Sequence, residues 1–421
     1  MTLKKLGGPL LGLLLAGCML LVLLHPANTL AAALRGLAIW WDVLFPSLFP
    51  FFVISEMLLG FGVVHLFGAL LDPLMRPLFN IPGSGGFVAA MGYVSGYPVG
   101  AKLTAKLREQ QLISRVEGER LVAFTTSSDP IFLLGAVSVG FFHDASLGLV
   151  LALSHYGGGL IVGLLMAFHG RQDKSAAVSA LPGESSGLPQ AAGGQRQGRL
   201  RLALNSMAEA RHRDGRSLGE LLKSAVQSSL QLIIVVGGLV VFFNVLMELL
   251  TRAGIMSALF SVLGSLLSFA GFPPGLSAAL ASGFFEVTIG ARSAGEAVAS
   301  VPLQFKAATA AFILSWGGLS VHAQVASILN GTGLRYLPFM AARLVHAFLS
   351  AVLLLLLWKP VVGSRLSAGF SSLPVFAGFA SSPVSGLAAS LGLLGVLLGA
   401  ALLLSLLVWL LRKTPLLRPR P

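Results

Sequence analysis

The chain is almost without cysteine and poor in charge. One Cys among 421 residues excludes an intramolecular disulfide and any cysteine-cluster metal site. Asp, Glu, Lys and Arg together make up 11% of the sequence, well below the share usual in soluble domains. Catalytic signatures are missing too. There is no His-Glu-x-x-His pair, no Gly-x-Ser-x-Gly elbow in a fitting context and no Walker A loop. No enzyme, no resident cofactor or metal and no built-in ATPase is expected.

What fills the chain instead is apolar. Hydrophobic residues make up 55% and the mean hydropathy is +0.85. Several runs reach the roughly 20 residues that a helix needs to cross a bilayer. The expected class is an all-α polytopic membrane protein. The net charge of +13 is not read as a nucleic-acid footprint, because the basic residues cluster in loops and tails, as cytoplasmic segments do. The bilayer is the expected partner, nucleic acid is not, and a homo-oligomer is compatible with the sequence. The single cysteine closes Leu15-Ala16-Gly17-Cys18, which matches a lipoprotein cleavage box after Lys4 and Lys5. The apolar run continues through Leu24, however, so an uncleaved first helix is expected.

Spanning helices are predicted near 9–25, 36–66, 121–142, 146–169, 221–250, 305–329, 337–359 and 386–411. Two segments, about 82–106 and 272–292, are short, interrupted by Gly and Pro, and rich in small residues. They read as re-entrant hairpins, since irregular backbone is tolerated at membrane depth only where protein or a watery cavity shields it. Basic residues then orient the chain: Lys4 and Lys5, the central Arg171, Lys174, Arg196, Arg199, Arg201, Arg211, Arg213 and Arg216, and the terminal Arg412, Lys413, Arg418 and Arg420 all belong on the cytoplasmic side.

The second half of the chain echoes the first. Lys102 and Arg292 are 190 residues apart, Glu56 and Glu248 are 192 apart, and Pro82–Pro273 and His155–His346 are 191 apart. The first unit would enter the membrane from outside and the second from the cytoplasm, giving two inverted repeats. The segment after the first hairpin agrees: Lys102, Lys106, Arg108, Arg115 and Arg120 are dense where the cytoplasm is expected. Its counterpart offers only Arg292 and Lys306. The expected organisation is an extra helix (1–34), a first repeat (35–169), a flexible cytoplasmic linker (170–217), a second repeat (218–359), and a last part (360–421) with an external loop over 361–385, a final helix and a basic tail. Inverted repeats in an apolar chain point to a secondary transporter, whose substrate site lies between the halves.

Several residues are candidates for that site. Lys102 and Arg292 each follow a Gly-Ala step in a small-residue hairpin. Two cations from inverted hairpins would suit a dianion, with Tyr97, Ser127, Ser128 and Thr288 lining the cavity. The plainer reading is that each cation marks where its hairpin returns to water. Glu56, Glu248, Asp129, His155, His346 and Glu286 are the candidates for ion or proton coupling, against helix ends near the interface for the glutamates and a packed core role for the histidines. Thr125-Thr-Ser-Ser-Asp129-Pro130 is a polar break in an apolar span, and Ser315-Trp-Gly-Gly-Leu-Ser320, followed by His322 and Gln324, is its counterpart.

The stretches Gly96-Tyr-Pro-Val-Gly-Ala-Lys-Leu-Thr104, Glu117-Gly-Glu-Arg-Leu-Val122, Ser128-Asp-Pro130, Gly140-Phe-Phe-His143, Phe285-Glu-Val-Thr-Ile-Gly-Ala-Arg292 and Gly318-Leu-Ser-Val-His-Ala-Gln-Val325 closely resemble sporulation integral membrane proteins of the YlbJ type. That family carries nucleoside-recognition (Gate) domains, and the resemblance runs over most of 35–358. It implies a role in endospore formation, in the outer forespore membrane, moving dipicolinic acid from the mother cell toward the forespore. Dipicolinate is a small aromatic dianion, which suits a two-cation site. The alternatives are a nucleoside or other small-metabolite carrier and a non-transporting scaffold. Matched ionisable residues inside apolar segments favour transport.

Overall fold

The computed structural model describes residues 3–170 and 199–362, and among them every regular element is a helix. The expected external loop, final helix and basic tail lie outside the described residues. Four helices are long and apolar enough to cross a membrane, or six if each of two bent pairs is one span. Apolar side chains such as Ile234, Phe242, Phe348 and Leu356 are more than half exposed, as the lipid-facing side of a membrane protein requires.

The first expected span is α1 (Leu3–Leu24). It ends at His25 because Pro26 follows, and a residue before proline is pushed out of the helical region. The next helix turns away by 106°. It begins earlier than expected, as α2 (Pro26–Ala38). It runs through a π-helical turn at Ile39–Leu44 into α3 (Phe45–Gly60). Pro46 has no N–H to offer the preceding turn, which accounts for the widened register there. The chain breaks again at Gly62, where φ is 75°, and α4 (Val63–Phe79) leaves at 82°.

Each expected hairpin is a pair of short helices. The first is α5 (Ser84–Ser95) and α6 (Tyr97–Glu109). They join at Gly96, whose φ of 87° and ψ of −178° suit only glycine. The expected span 121–142 is two pieces: α7 (Arg115–Thr125), then irregular backbone through Thr126, Ser127, Ser128 and Asp129, then a π-helix at Ile131–Phe141. Pro130 and the polar run before it supply the break. After it α8 (Leu147–Met166) crosses as one helix.

A fully unstructured linker over 170–217 is not what forms. Residues 199–214 make α9 (Arg199–Asp214), with Ala203 fully buried. The helix packs on the turn at Gly62, where an added Cβ would lie 2.7 Å from the Met207 carbonyl, and Arg211 sits over the Phe61 ring. The Leu202, Ser206 and Ala210 spacing is helical, a signal hidden by the polar composition around it. At its end Asp214 accepts from Arg216 Nε at 2.8 Å, a bond that holds its carboxyl below the usual range.

The long α10 (Leu218–Arg252) is capped by Ser217 and Glu220. Its 35 residues correspond to about 50 Å, more than a bilayer core is thick. Then come α11 (Ile255–Phe269), a second hairpin of α12 (Ser277–Phe285) and α13 (Val287–Gly295), a second broken helix of α14 (Leu303–Trp316) and α15 (Gly318–Leu329), and α16 (Tyr336–Leu357). Adding 190 to the bounds of α5, preceded in the second half by a turn at Pro274–Leu276, gives the bounds of that turn plus α12. The same shift carries the end of α4 onto the end of α11. The largest buried cluster joins residues of both halves, including Tyr97, Val122, Leu151, Ala291, Leu314 and Phe339.

Candidate functional site

The two broken helices and the two hairpin tips meet in one region. Asp129, in the first break, caps the π-helix that follows: its Oδ1 accepts from Phe132 N at 2.8 Å. Glu286, at the second hairpin's tip, caps α13 in the same way, with Oε2 accepting from Ile289 N at 2.8 Å. A Cβ on Gly96 would lie 3.3 Å from Asp129 Oδ2, so the first tip touches the first break. One on Gly318 would lie 3.1 Å from the Glu286 Cα, so the second tip touches the second break. Gly318, with φ of 74°, admits that approach without strain.

Between them lies a cavity of about 40 Å³ whose polar lining is Tyr97, Asp129, Glu286, Thr288, Ser320 and Gln324. All six are buried. Among the described residues no ion pair holds Asp129 or Glu286. Of the residues expected to line a substrate cavity, Tyr97 and Thr288 line this one, and Asp129 and Glu286 lie beside them.

Behind Tyr97 stands Arg343, on α16 and fully buried. Its guanidinium lies 5.8 Å from the centre of the Tyr97 ring. Nη1 donates to the Thr126 carbonyl at 2.6 Å and to His346 Nδ1 at 3.0 Å. Nη2 donates to Leu314 O at 3.3 Å and Nε to Trp316 O at 3.5 Å. One side chain thus serves carbonyls freed at both breaks. It was not singled out from the sequence because it has no matched partner: 191 residues earlier the chain has Ala152. A lone Arg inside the apolar run 336–357 was the available signal.

His155 and His346 are brought together, with ring centres 5.0 Å apart. Donor counting fixes both tautomers. Arg343 cannot accept, so His346 Nδ1 accepts and Nε2 donates to the His155 carbonyl at 2.7 Å. The Ser128 N–H donates to His155 Nε2 at 3.1 Å, and Ser127 Oγ is 2.9 Å from the same atom. His155 Nδ1 therefore donates to Ser315 Oγ at 2.8 Å, which passes the chain to Ser350 Oγ at 2.8 Å. Ser127 and the Ser128 backbone thus belong to this network behind the cavity. Both imidazoles are neutral in it, holding helix breaks in place.

The two expected cations are placed differently. Lys102 Nζ is 2.8 Å from Glu56 Oε1, and Lys106 contacts the other oxygen of the same carboxylate. Lys102 also donates to the Ser228 carbonyl on α10 at 3.3 Å. Arg292 is well exposed and pairs with Glu296 at 2.8 Å. Neither cation lines the cavity. Glu248 is held by Arg35 and Arg252, each at 3.0 Å.

A family model described as nucleoside recognition (Gate) matches residues 42–181. The sporulation integral membrane protein YlbJ of Bacillus subtilis (strain 168) is 44% identical over 342 residues, covering 81% of this chain and 80% of that protein. The chain belongs to the YlbJ family of sporulation integral membrane proteins. No solved structure matches it. The YlbJ-family chain is accordingly an integral membrane protein, and the Gate match covers the first hairpin, the first break and His155.

Arg343 predicts its own mutants. Arg343→Gln takes from the buried Thr126 carbonyl its 2.6 Å donor, at roughly 1–3 kcal/mol, while Leu314 O keeps the Tyr97 hydroxyl at 2.7 Å and Trp316 O keeps His322 Nε2 at 3.2 Å. Arg343→Lys keeps the charge but not the fork geometry. Both variants should lower the melting temperature of the detergent-purified protein by several degrees, with Gln the worse. Melting temperatures equal to the parent's would show that the guanidinium does not hold the breaks.

Proposed function

We propose that this protein is a secondary transporter that carries a small anionic metabolite through the cavity between its two hairpins. The substrate in this reading is dipicolinic acid, moved from mother cell toward forespore across the outer forespore membrane. The observation that carries the transport reading is the convergence of two hairpin tips and two broken helices on one small cavity with two buried carboxylates in its lining. Broken helices around a central site are the usual construction of secondary transporters. The family supplies the sporulation setting, and the resemblance supplies the substrate.

The cavity of about 40 Å³ is roughly tenfold smaller than ordinary ligand pockets. Substrate therefore requires a conformation in which the hairpins have parted. In that conformation Lys102 and Arg292 exchange Glu56 and Glu296 for the two substrate carboxylates, while Tyr97, Ser127, Ser128 and Thr288 form the walls. Asp129, Glu286, Glu56, Glu248, His155 and His346 were the coupling candidates. Glu56 and Glu248 have cationic partners and the histidines are locked as neutral donors and acceptors, which favours Asp129 and Glu286. The second reading is a nucleoside carrier, favoured by the description of the matching family model.

Two experiments test this. In vesicles reconstituted with the purified protein, labelled dipicolinate should accumulate saturably, and a nucleoside should not compete. Lys102→Gln and Arg292→Gln should each reduce uptake about tenfold, the loss of one charge-assisted hydrogen bond. Parent-like uptake by both variants would place the site elsewhere, and nucleoside competition would favour the second reading. For the inverted repeats, single cysteines replacing the exposed Gln110 and Ser300 in a Cys18→Ser background should label from opposite sides of the membrane. These positions are 190 residues apart. Labelling from one side would rule out inversion.

A further inference from the structure

The transport reading leaves a charge problem. A dianion would enter a cavity that already holds two buried carboxylates, Asp129 at 7% and Glu286 at 1% exposure, neither with an ion-pair partner among the described residues. Two charges of one sign at low dielectric repel strongly, and Lys102 and Arg292 would offset only the two charges that the substrate itself brings. Positive charge has to arrive with the substrate or before it.

The neutral groups beside these carboxylates indicate what arrives. Ser320 lines the same cavity, is 1% exposed, and its hydroxyl has no hydrogen-bond partner among the described residues. A buried hydroxyl without a partner is costly, and Ser320 shares the cavity lining with Gln324 and with Thr288, whose side chain bonds Glu286. Carboxylate, hydroxyl and amide oxygens from three separate segments are hard donors, the kind that replace the hydration shell of a hard cation. A proton would need one carboxylate and none of the neutral oxygens. A divalent metal site is disfavoured, because no group of three His, Cys, Asp or Glu is placed to hold a metal ion among the described residues. The volume of about 40 Å³ accommodates an ion or a water, which needs at least about 10–15 Å³.

We infer that Asp129, Glu286 and Ser320 form a binding site for a dehydrated monovalent cation, sodium, which loads the cavity and accompanies the anionic substrate. The coupling role rests on the transport reading, whereas the site itself does not. Lodged between the hairpin tips and the helix breaks, the ion joins the elements that must part for transport. Its binding therefore stabilises the closed arrangement and offsets the repulsion met by the substrate.

The test needs no substrate. The purified protein is titrated with sodium chloride at constant ionic strength against choline chloride, and its melting temperature is followed. In parallel, binding of radioactive sodium is measured directly. Sodium should raise the melting temperature saturably, and potassium should do so only at about tenfold higher concentration. Ser320→Ala removes one oxygen with little change in shape, and should shift the sodium midpoint upward about tenfold. Asp129→Asn and Glu286→Gln should abolish the response. Absence of sodium binding to the parent protein would overturn the inference without depending on any variant. So would a response identical with choline, or stabilisation by lowered pH in place of sodium. Sodium binding without dipicolinate uptake would keep the ion site and reject the substrate, so the two readings fail separately.

Discussion

The arrangement depends on one constraint: backbone groups released from helices inside an apolar environment must find partners within the protein. This chain breaks two helices near each other, at 126–130 and at Gly317, and so frees carbonyls at both. Arg343 answers for Thr126 on one side and for Leu314 and Trp316 on the other. Neutral groups share the second side, with the Tyr97 hydroxyl donating to Leu314 O at 2.7 Å and His322 Nε2 lying 3.2 Å from Trp316 O. The guanidinium offers five donors in one planar fork. The histidine pair and its serines extend the same work, joining α8, α16 and both breaks through hydrogen bonds whose donors and acceptors are fully assigned.

Holding the breaks open places two carboxylates and several hydroxyls around a small cavity. It also separates the roles of the chain's cations. Lys102 and Lys106 bind Glu56 on α3 and tie α6 to α3, with α10 contributing the Ser228 carbonyl. Arg343, by contrast, stands one ring behind the cavity wall. Its guanidinium lies 5.8 Å from the centre of the Tyr97 ring, and its hydrogen bonds go to backbone carbonyls and to His346 Nδ1. The consequence is a centre that is acidic at its lining and cationic in its support.

Much of this was legible in the sequence because it repeats. The offset near 190 located both hairpins, both breaks and the histidine pair, since each depends on local signals such as Gly, Pro and polar runs within apolar stretches. What escaped was unmatched or non-local. Arg343 has Ala152 at the matching place in the first half, so the repeat carries no signal for it. The capture of Lys102 by Glu56 joins residues on different helices, which spacing along the chain does not reveal. The helix at 199–214 lies in polar sequence and is held by packing against the turn at Gly62. The continuous helix expected at 36–66 failed for the reason that apolar length does not prevent Pro46 or Gly62 from acting on the backbone.

The central claim is that the cavity between the hairpins is the path of the substrate. Thr288 lines it and is 7% exposed. In a Cys18→Ser background, Thr288→Cys should be modified by a small charged thiol reagent applied to either face of sealed vesicles, as the hairpins part in turn. Dipicolinate should slow that modification in a concentration-dependent way. Modification from one face only, or a rate unaffected by dipicolinate, would contradict the account.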